Sequence, residues 1–197
     1  LEIDDATCVL VKRMQKIAME LEKEGYKLVV IGDSNHPEVK AVVGCVDNVE
    51  VIADEDDLDK LPKDTKLGVV CQTTKGPEHF ANMVQAIVRR GFSELKVINT
   101  LCKETIKRQQ AAVDVCKRVD VMFVLGGLDS ANTKRLVELC KKYNEQTFHL
   151  QNWGECDTKT LSDKKIAGVT AGASTPEWII NEFVKNLREF DAGENKR

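Results

Sequence analysis

Two short stretches of this 197-residue chain place a thiol where it could do chemistry. In NTLCKETIKRQ, Asn99 to Gln109, Cys102 lies between the apolar run Leu95–Ile98 and a segment in which Ile106, Ala111, Ala112 and Val115 form an apolar stripe at helical spacing. A thiol at such a helix start meets free N–H groups and the positive end of the helix dipole. Both favour a thiolate and suit it to metal or sulfide chemistry. DATC, Asp5 to Cys8, repeats the placement before a second amphipathic segment. A single cysteine is more often a packed, inert thiol, so the weight falls on the pair.

Polar residues beside other expected helix starts suggest anion binding. Pro37–Glu38, Pro77–Glu78 and Pro176–Glu177 each open a helical pattern, and His36, Thr73, Thr74, Ser130, Asn132 and Ser174 lie at loop positions next to helix starts. Helix N-termini favour phosphate or diphosphate, while ordinary capping is the alternative for such side chains. Glu38, beside His36, is the candidate proton donor, because burial raises a carboxylate's pKa. Two cysteines without finger-spaced Cys or His partners favour an iron–sulfur centre over zinc. A cubane cluster normally takes three or four thiolates, so a third is required. Cys71, at the loop end of a strand, is the best-placed remaining cysteine; Cys45, Cys116, Cys140 and Cys156 read as packing or surface thiols.

The elements that must position these residues alternate between helix and strand. Helices are expected over 5–24, 37–43, 77–90, 133–142 and from about 176 to 190, with another after Cys102. Strands are expected over 28–31, 49–52, 67–71, 95–98, 121–125, 147–150 and 166–170, and an irregular stretch over 151–164 with Trp153 packed. The pattern is α/β with mostly parallel sheets. It also repeats: the interval from Cys8 to Gly32 equals that from Cys102 to Gly126, Cys8 to His36 equals Cys102 to Ser130, and Gly68 to Thr74 equals Gly168 to Ser174. Two similar α/β units are therefore expected, residues 1–93 and 94–190, followed by a polar tail, 191–197.

Composition narrows the partners. The formal net charge is −3 with no basic stripe, so nucleic acid is not an expected partner. The apolar runs are too short to span a bilayer and the first residues lack a signal-peptide pattern, which gives a cytoplasmic expectation. Seven cysteines without a CxxC pair argue against a disulfide framework.

DATC, GDSNHPEV (Gly32–Val39), QTT (Gln72–Thr74), NTLCKET with the following RQ, DSAN (Asp129–Asn132) and AGASTPE (Ala171–Glu177) together resemble the LytB family, the 4-hydroxy-3-methylbut-2-enyl diphosphate reductases. The resemblance implies an oxidoreductase of the non-mevalonate isoprenoid pathway that removes the hydroxyl of an allylic diphosphate with two electrons and two protons. The expected donor is a ferredoxin or flavodoxin. It implies a trefoil of three α/β domains around a 4Fe-4S cluster held by one cysteine from each, with Cys8 and Cys102 as two ligands and this chain corresponding to the second and third domains. By the same resemblance His36, Ser130, Asn132 and Ser174 contact the diphosphate, Glu38 is the proton-relay acid, and Thr73 and Thr105 lie near the substrate hydroxyl and cluster. The third cysteine is expected in a first domain that does not precede Leu1. The alternative is a non-catalytic anion-binding module that cannot hold a cluster alone. Asp33, Asn35, Ala131 and Cys71 depart from the family pattern, and Asp33 is expected to face away from a diphosphate or bond its own loop.

Overall fold

The computed structural model describes residues 4–63 and 65–194, with side chains to Phe190. It divides into two compact units, through Ile106 and from Lys107.

The first unit carries a parallel sheet of β1 (Lys27–Ile31), β2 (Val49–Ile52), β3 (Lys66–Cys71) and β4 (Glu94–Val97) in the order β2-β1-β3-β4. Its helices are α1 (Val9–Lys23), α2 (Pro37–Val43) and α3 (Pro77–Arg89). Successive residues of β1 point to opposite faces, and both faces are covered. Val29 and Ile31 join Val69, Cys71 and the α3 side chains Phe80, Met83 and Ile87. Leu28 and Val30 join Val70, with Met14, Ala18 and Leu21 of α1 and Val39 and Val42 of α2. Burial on both sides is why this strand is continuously apolar instead of alternating.

The second unit has a parallel sheet of β5 (Val121–Leu125), β6 (Thr147–Leu150) and β7 (Ala167–Ala171) in the order β6-β5-β7. On one face, Met122 and Val124 pack with Ala112 and Cys116 of α4 (Lys103–Cys116) and with Leu136, Val137 and Cys140 of α5 (Ala131–Lys141). On the other, Phe123 packs against Phe183 of α6 (Glu177–Glu194), their rings tilted by 56° with centroids 5.1 Å apart. Trp153 meets Phe183 edge-on at 5.2 Å, so it is packed, as expected.

The strand order β2-β1-β3 recurs as β6-β5-β7, in keeping with the repeat. The expected boundary at 93/94 is displaced, because β4 hydrogen-bonds to β3 and belongs to the first sheet; Cys102 therefore lies in the first unit. The first helix starts at Val9, not Asp5, with Cys8 at its N-cap position. The irregular stretch contains two short 3-10 turns, Trp153–Glu155 and Thr158–Leu161. The last helix runs through 191–194, part of the expected tail; the rest of that tail lies outside the described residues. No helix among the described residues is long and apolar enough to cross a membrane.

Candidate functional site

In a parallel α/β layer, helices that follow strands begin at the strands' carboxyl ends, where ligands of such sheets bind. Most of the expected site residues sit there, in two groups, one in each unit.

In the first unit, β1 ends at Ile31 and α2 opens with His36 at its N-cap, where Nδ1 accepts the N–H of Glu38 at 3.2 Å. A neutral ring with an acceptor Nδ1 carries its proton on Nε2, which leaves a donor. The Glu38 side chain turns inward and is 8% exposed. Its Oε1 accepts the Thr73 N–H at 2.7 Å and its Oε2 accepts the Thr73 hydroxyl at 2.9 Å. The Thr73 carbonyl in turn accepts the Cys102 N–H at 2.9 Å. Glu38, Thr73 and Cys102 thus form one hydrogen-bonded series, although they come from the first turn of α2 and from two separate loops.

Cys102 precedes α4 and is half-buried. Burial of its sulfur opposes ionisation, but hydrogen bonds from the Thr105 hydroxyl and from the N–H groups of Thr105 and Glu104 outweigh it and hold the thiol below its usual range. Thr105 therefore acts on the thiol directly. Cys8 is exposed, free and without a side-chain capping bond at the start of α1. Asp33 behaves as expected: its Oδ1 accepts the Asn35 N–H at 2.8 Å, within its own loop.

Cys71, the best-placed remaining cysteine in the sequence, is not a ligand candidate in the structure. Burial in the sheet core pushes its thiol up to about 12. Cys116 and Cys140 lie in the core of the second unit, as packing thiols should.

In the second unit, Ser130 caps α5, its Oγ accepting the Thr133 N–H at 3.3 Å. The neighbouring Asn132 Nδ2 is buried without a hydrogen-bond partner, and so is the Thr133 Oγ1. Thr133 reaches this position because Gly126 and Gly172 lack side chains: a Cβ on Gly172 would come within 2.3 Å of its Oγ1, and one on Gly126 within 2.8 Å. Thr175 donates to the Leu125 carbonyl at 3.0 Å, and His149 Nε2 lies 3.1 Å from the Gly126 carbonyl oxygen. Ser174 is exposed in the loop before α6.

Sequence reasoning missed Thr100, Thr133 and His149. The signal for Thr133 was the pair of glycines after β5 and β7. Thr100 could be found only from the alternation Ile98, Thr100, Cys102 running in step with Val69, Cys71, Thr73.

Among the described residues, no group of three His, Cys, Asp or Glu side chains is arranged to hold a metal ion. In donor chemistry, Cys102 fits a thiolate ligand of iron: it is free, it is half-buried, and hydrogen bonds favour its charged form. Cys8 offers a second free thiol.

The family model described as LytB protein matches residues 1–188. A 4-hydroxy-3-methylbut-2-enyl diphosphate reductase of Geobacter sulfurreducens is 41% identical over 192 residues, covering 97% of this chain and 68% of the relative. The protein of the same name in Trichlorobacter lovleyi is 43% identical with the same coverage. Among solved structures, one of (E)-4-hydroxy-3-methylbut-2-enyl diphosphate reductase, described as the terminal enzyme of the non-mevalonate pathway, matches with a TM-score of 0.63 and 36% identity, over 96% of this chain and 68% of that one. The corresponding reductase from Plasmodium falciparum matches with a TM-score of 0.85 and 30% identity, over 93% of this chain and 59% of that one. The chain belongs to the LytB family of 4-hydroxy-3-methylbut-2-enyl diphosphate reductases.

Proposed function

We propose that this chain takes part in the reductive dehydroxylation of 4-hydroxy-3-methylbut-2-enyl diphosphate to isopentenyl and dimethylallyl diphosphates. The allylic C–O bond breaks, two electrons and two protons are taken up, and the hydroxyl leaves as water. Electrons come from an external one-electron carrier such as a ferredoxin or flavodoxin. The observation that carries the reading is the series Glu38, Thr73, Cys102, which links a buried carboxyl to a thiolate-favouring cysteine through one threonine.

Each residue has a role that follows from its contacts. Glu38 relays a proton through the Thr73 hydroxyl, whose hydrogen bond to Oε2 reverses direction as the proton passes. Thr73 presents that proton to the leaving hydroxyl, as a general acid within hydrogen-bond reach must. His36 Nε2–H supplies a donor to a diphosphate oxygen, and Ser130, Asn132 and Ser174 are further diphosphate contacts in this reading. The unpartnered Asn132 Nδ2 supports that role, since a buried donor without an acceptor is costly. Cys8 and Cys102 are two ligands of a 4Fe-4S cluster whose remaining ligand comes from outside the described residues. When bound, the cluster supplies the electrons. Thr105 favours the charged, ligating form of Cys102.

Anaerobic reconstitution with iron and sulfide tests the reading. The wild-type chain should take up iron into a brown chromophore that Cys102→Ser diminishes. Turnover of the allylic diphosphate, with any missing ligand supplied in trans, should then depend on Glu38. A chain that binds inorganic diphosphate but never acquires iron would instead be an anion-binding module.

A further inference from the structure

Beyond the end of β4 the chain does not leave β3; it continues alongside it by a different device. Ile98 N–H donates to the Val69 carbonyl at 2.9 Å, and Cys102 N–H donates to the Thr73 carbonyl at 2.9 Å. Between these rungs the backbone of β3 is served by a side chain. The Thr100 Oγ1 accepts the Cys71 N–H at 2.9 Å and donates to the Cys71 carbonyl. Residues 98, 100 and 102 thus track 69, 71 and 73 in steps of two, with a hydroxyl replacing the middle backbone rung. Leu101, between them, is tied by its N–H to Asn99 Oδ1 at 3.0 Å.

We infer that Thr100 is the positioning residue for Cys102: its hydroxyl clamps the loop to β3 and so fixes where the thiol stands relative to Thr73 and Glu38. A hydroxyl donates and accepts at once, which a valine or cysteine side chain does not do comparably. The β-branch of threonine limits χ1, so the clamp has little freedom. Thr100 is 3% exposed, so water does not readily replace it at the Cys71 backbone groups. Both would be left buried and unpaired on its loss. The effect passes to the next rung, the Cys102 N–H on Thr73, while Thr73 itself is held by Glu38. The placement of the backbone stands on these contacts alone; its bearing on catalysis rests on the function proposed above.

Amide-resolved hydrogen exchange on the full chain, comparing wild type, Thr100→Val and Thr100→Ser, tests it. In Thr100→Val the Cys102 amide should exchange about tenfold faster or more, the scale of one lost buried hydrogen bond, while Ile98 on the preceding rung keeps its protection. Thr100→Ser, which retains the hydroxyl, should restore Cys102. Unchanged Cys102 protection in Thr100→Val overturns the inference. So does loss at Ile98 and Cys102 together, which marks general loosening. If Thr100→Val does not fold, the serine variant decides: a folded Thr100→Ser that loses protection at Cys102 overturns it as well. Failure of the wild-type chain to take up iron and sulfide would sink the proposed function and leave this exchange pattern untouched.

Discussion

The two units share a strand order but treat the polar groups at their strand ends in opposite ways. In the first, two buried polar side chains are bonded within the chain: Glu38 takes two hydrogen bonds from Thr73, and Thr100 makes two to Cys71. In the second, Thr133 is fully buried with its Oγ1 unpartnered, and the Asn132 Nδ2 beside it is likewise alone. A satisfied network is preorganised, and it holds acid and thiol in place before anything binds. Unpartnered buried groups cost stability in the free protein, a cost that a ligand or ordered water with matching acceptors removes. In the function proposed above, the first unit does the chemistry and the second the capture.

The largest effect that would break this contrast lies at Glu38. Glu38→Gln keeps an acceptor for Thr73 but cannot cycle a proton, so turnover should fall by about 10²-fold or more with little change in KM. A loss confined to KM would mean that Glu38 only shapes the loop. In stability, paired threonines sharpen the comparison. Thr73→Val leaves the buried Glu38 Oε2 without its donor and should cost about 1–3 kcal/mol in urea unfolding, whereas Thr133→Val removes a hydroxyl with no partner and should cost less than about 1 kcal/mol. Equal losses would erase the distinction.

The glycines after β5 and β7 give a comparison inside the second unit. Gly172→Ala drives a methyl into Thr133 and should cost about 1–3 kcal/mol by overpacking. Gly127→Ala, one loop residue beyond Gly126, meets nothing within 4 Å and should be close to neutral. Thermal unfolding of the two variants checks the difference. Diphosphate affinity should fall in Gly172→Ala, because the displaced Thr133 is followed back along α5 to Asn132 and Ser130.

Much of this was written locally in the sequence. The continuous apolar runs at 28–31 and 121–125 mark strands buried on both faces, and Pro37 and Gly25 mark a helix start and stop. His36 and Ser130 are visible as caps, and Asp33 could be turned into its own loop from its residue type alone. What was not legible depends on long-range pairing. The repeat is counted from cysteine to cysteine, but β4 joins the earlier sheet because it pairs with β3, and no local signal reports that choice. Thr100 is an ordinary loop threonine until the register of β3 is known. Cys71 is well placed by its position in the chain alone; the two-sided burial of β3 removes it.

The last effect concerns both units at once and runs with pH. Burial holds the Cys71 thiol in the first unit and the Cys140 thiol in the second at about 12, against an ordinary value of 9.0. In the unfolded chain these thiols lose their protons from about pH 9 upward, while in the fold they keep them, so the folded state binds more protons across that window. The contribution of these two thiols to stability should therefore be level below pH 9 and decline as pH rises toward 12, by at most about 1.4 kcal/mol per pH unit for each. Cys71→Ala and Cys140→Ala should each flatten the slope of urea midpoint against pH, whatever they cost in packing at neutral pH. A slope that only one substitution reduces would show that the units unfold separately, each with its own thiol setting its alkaline limit.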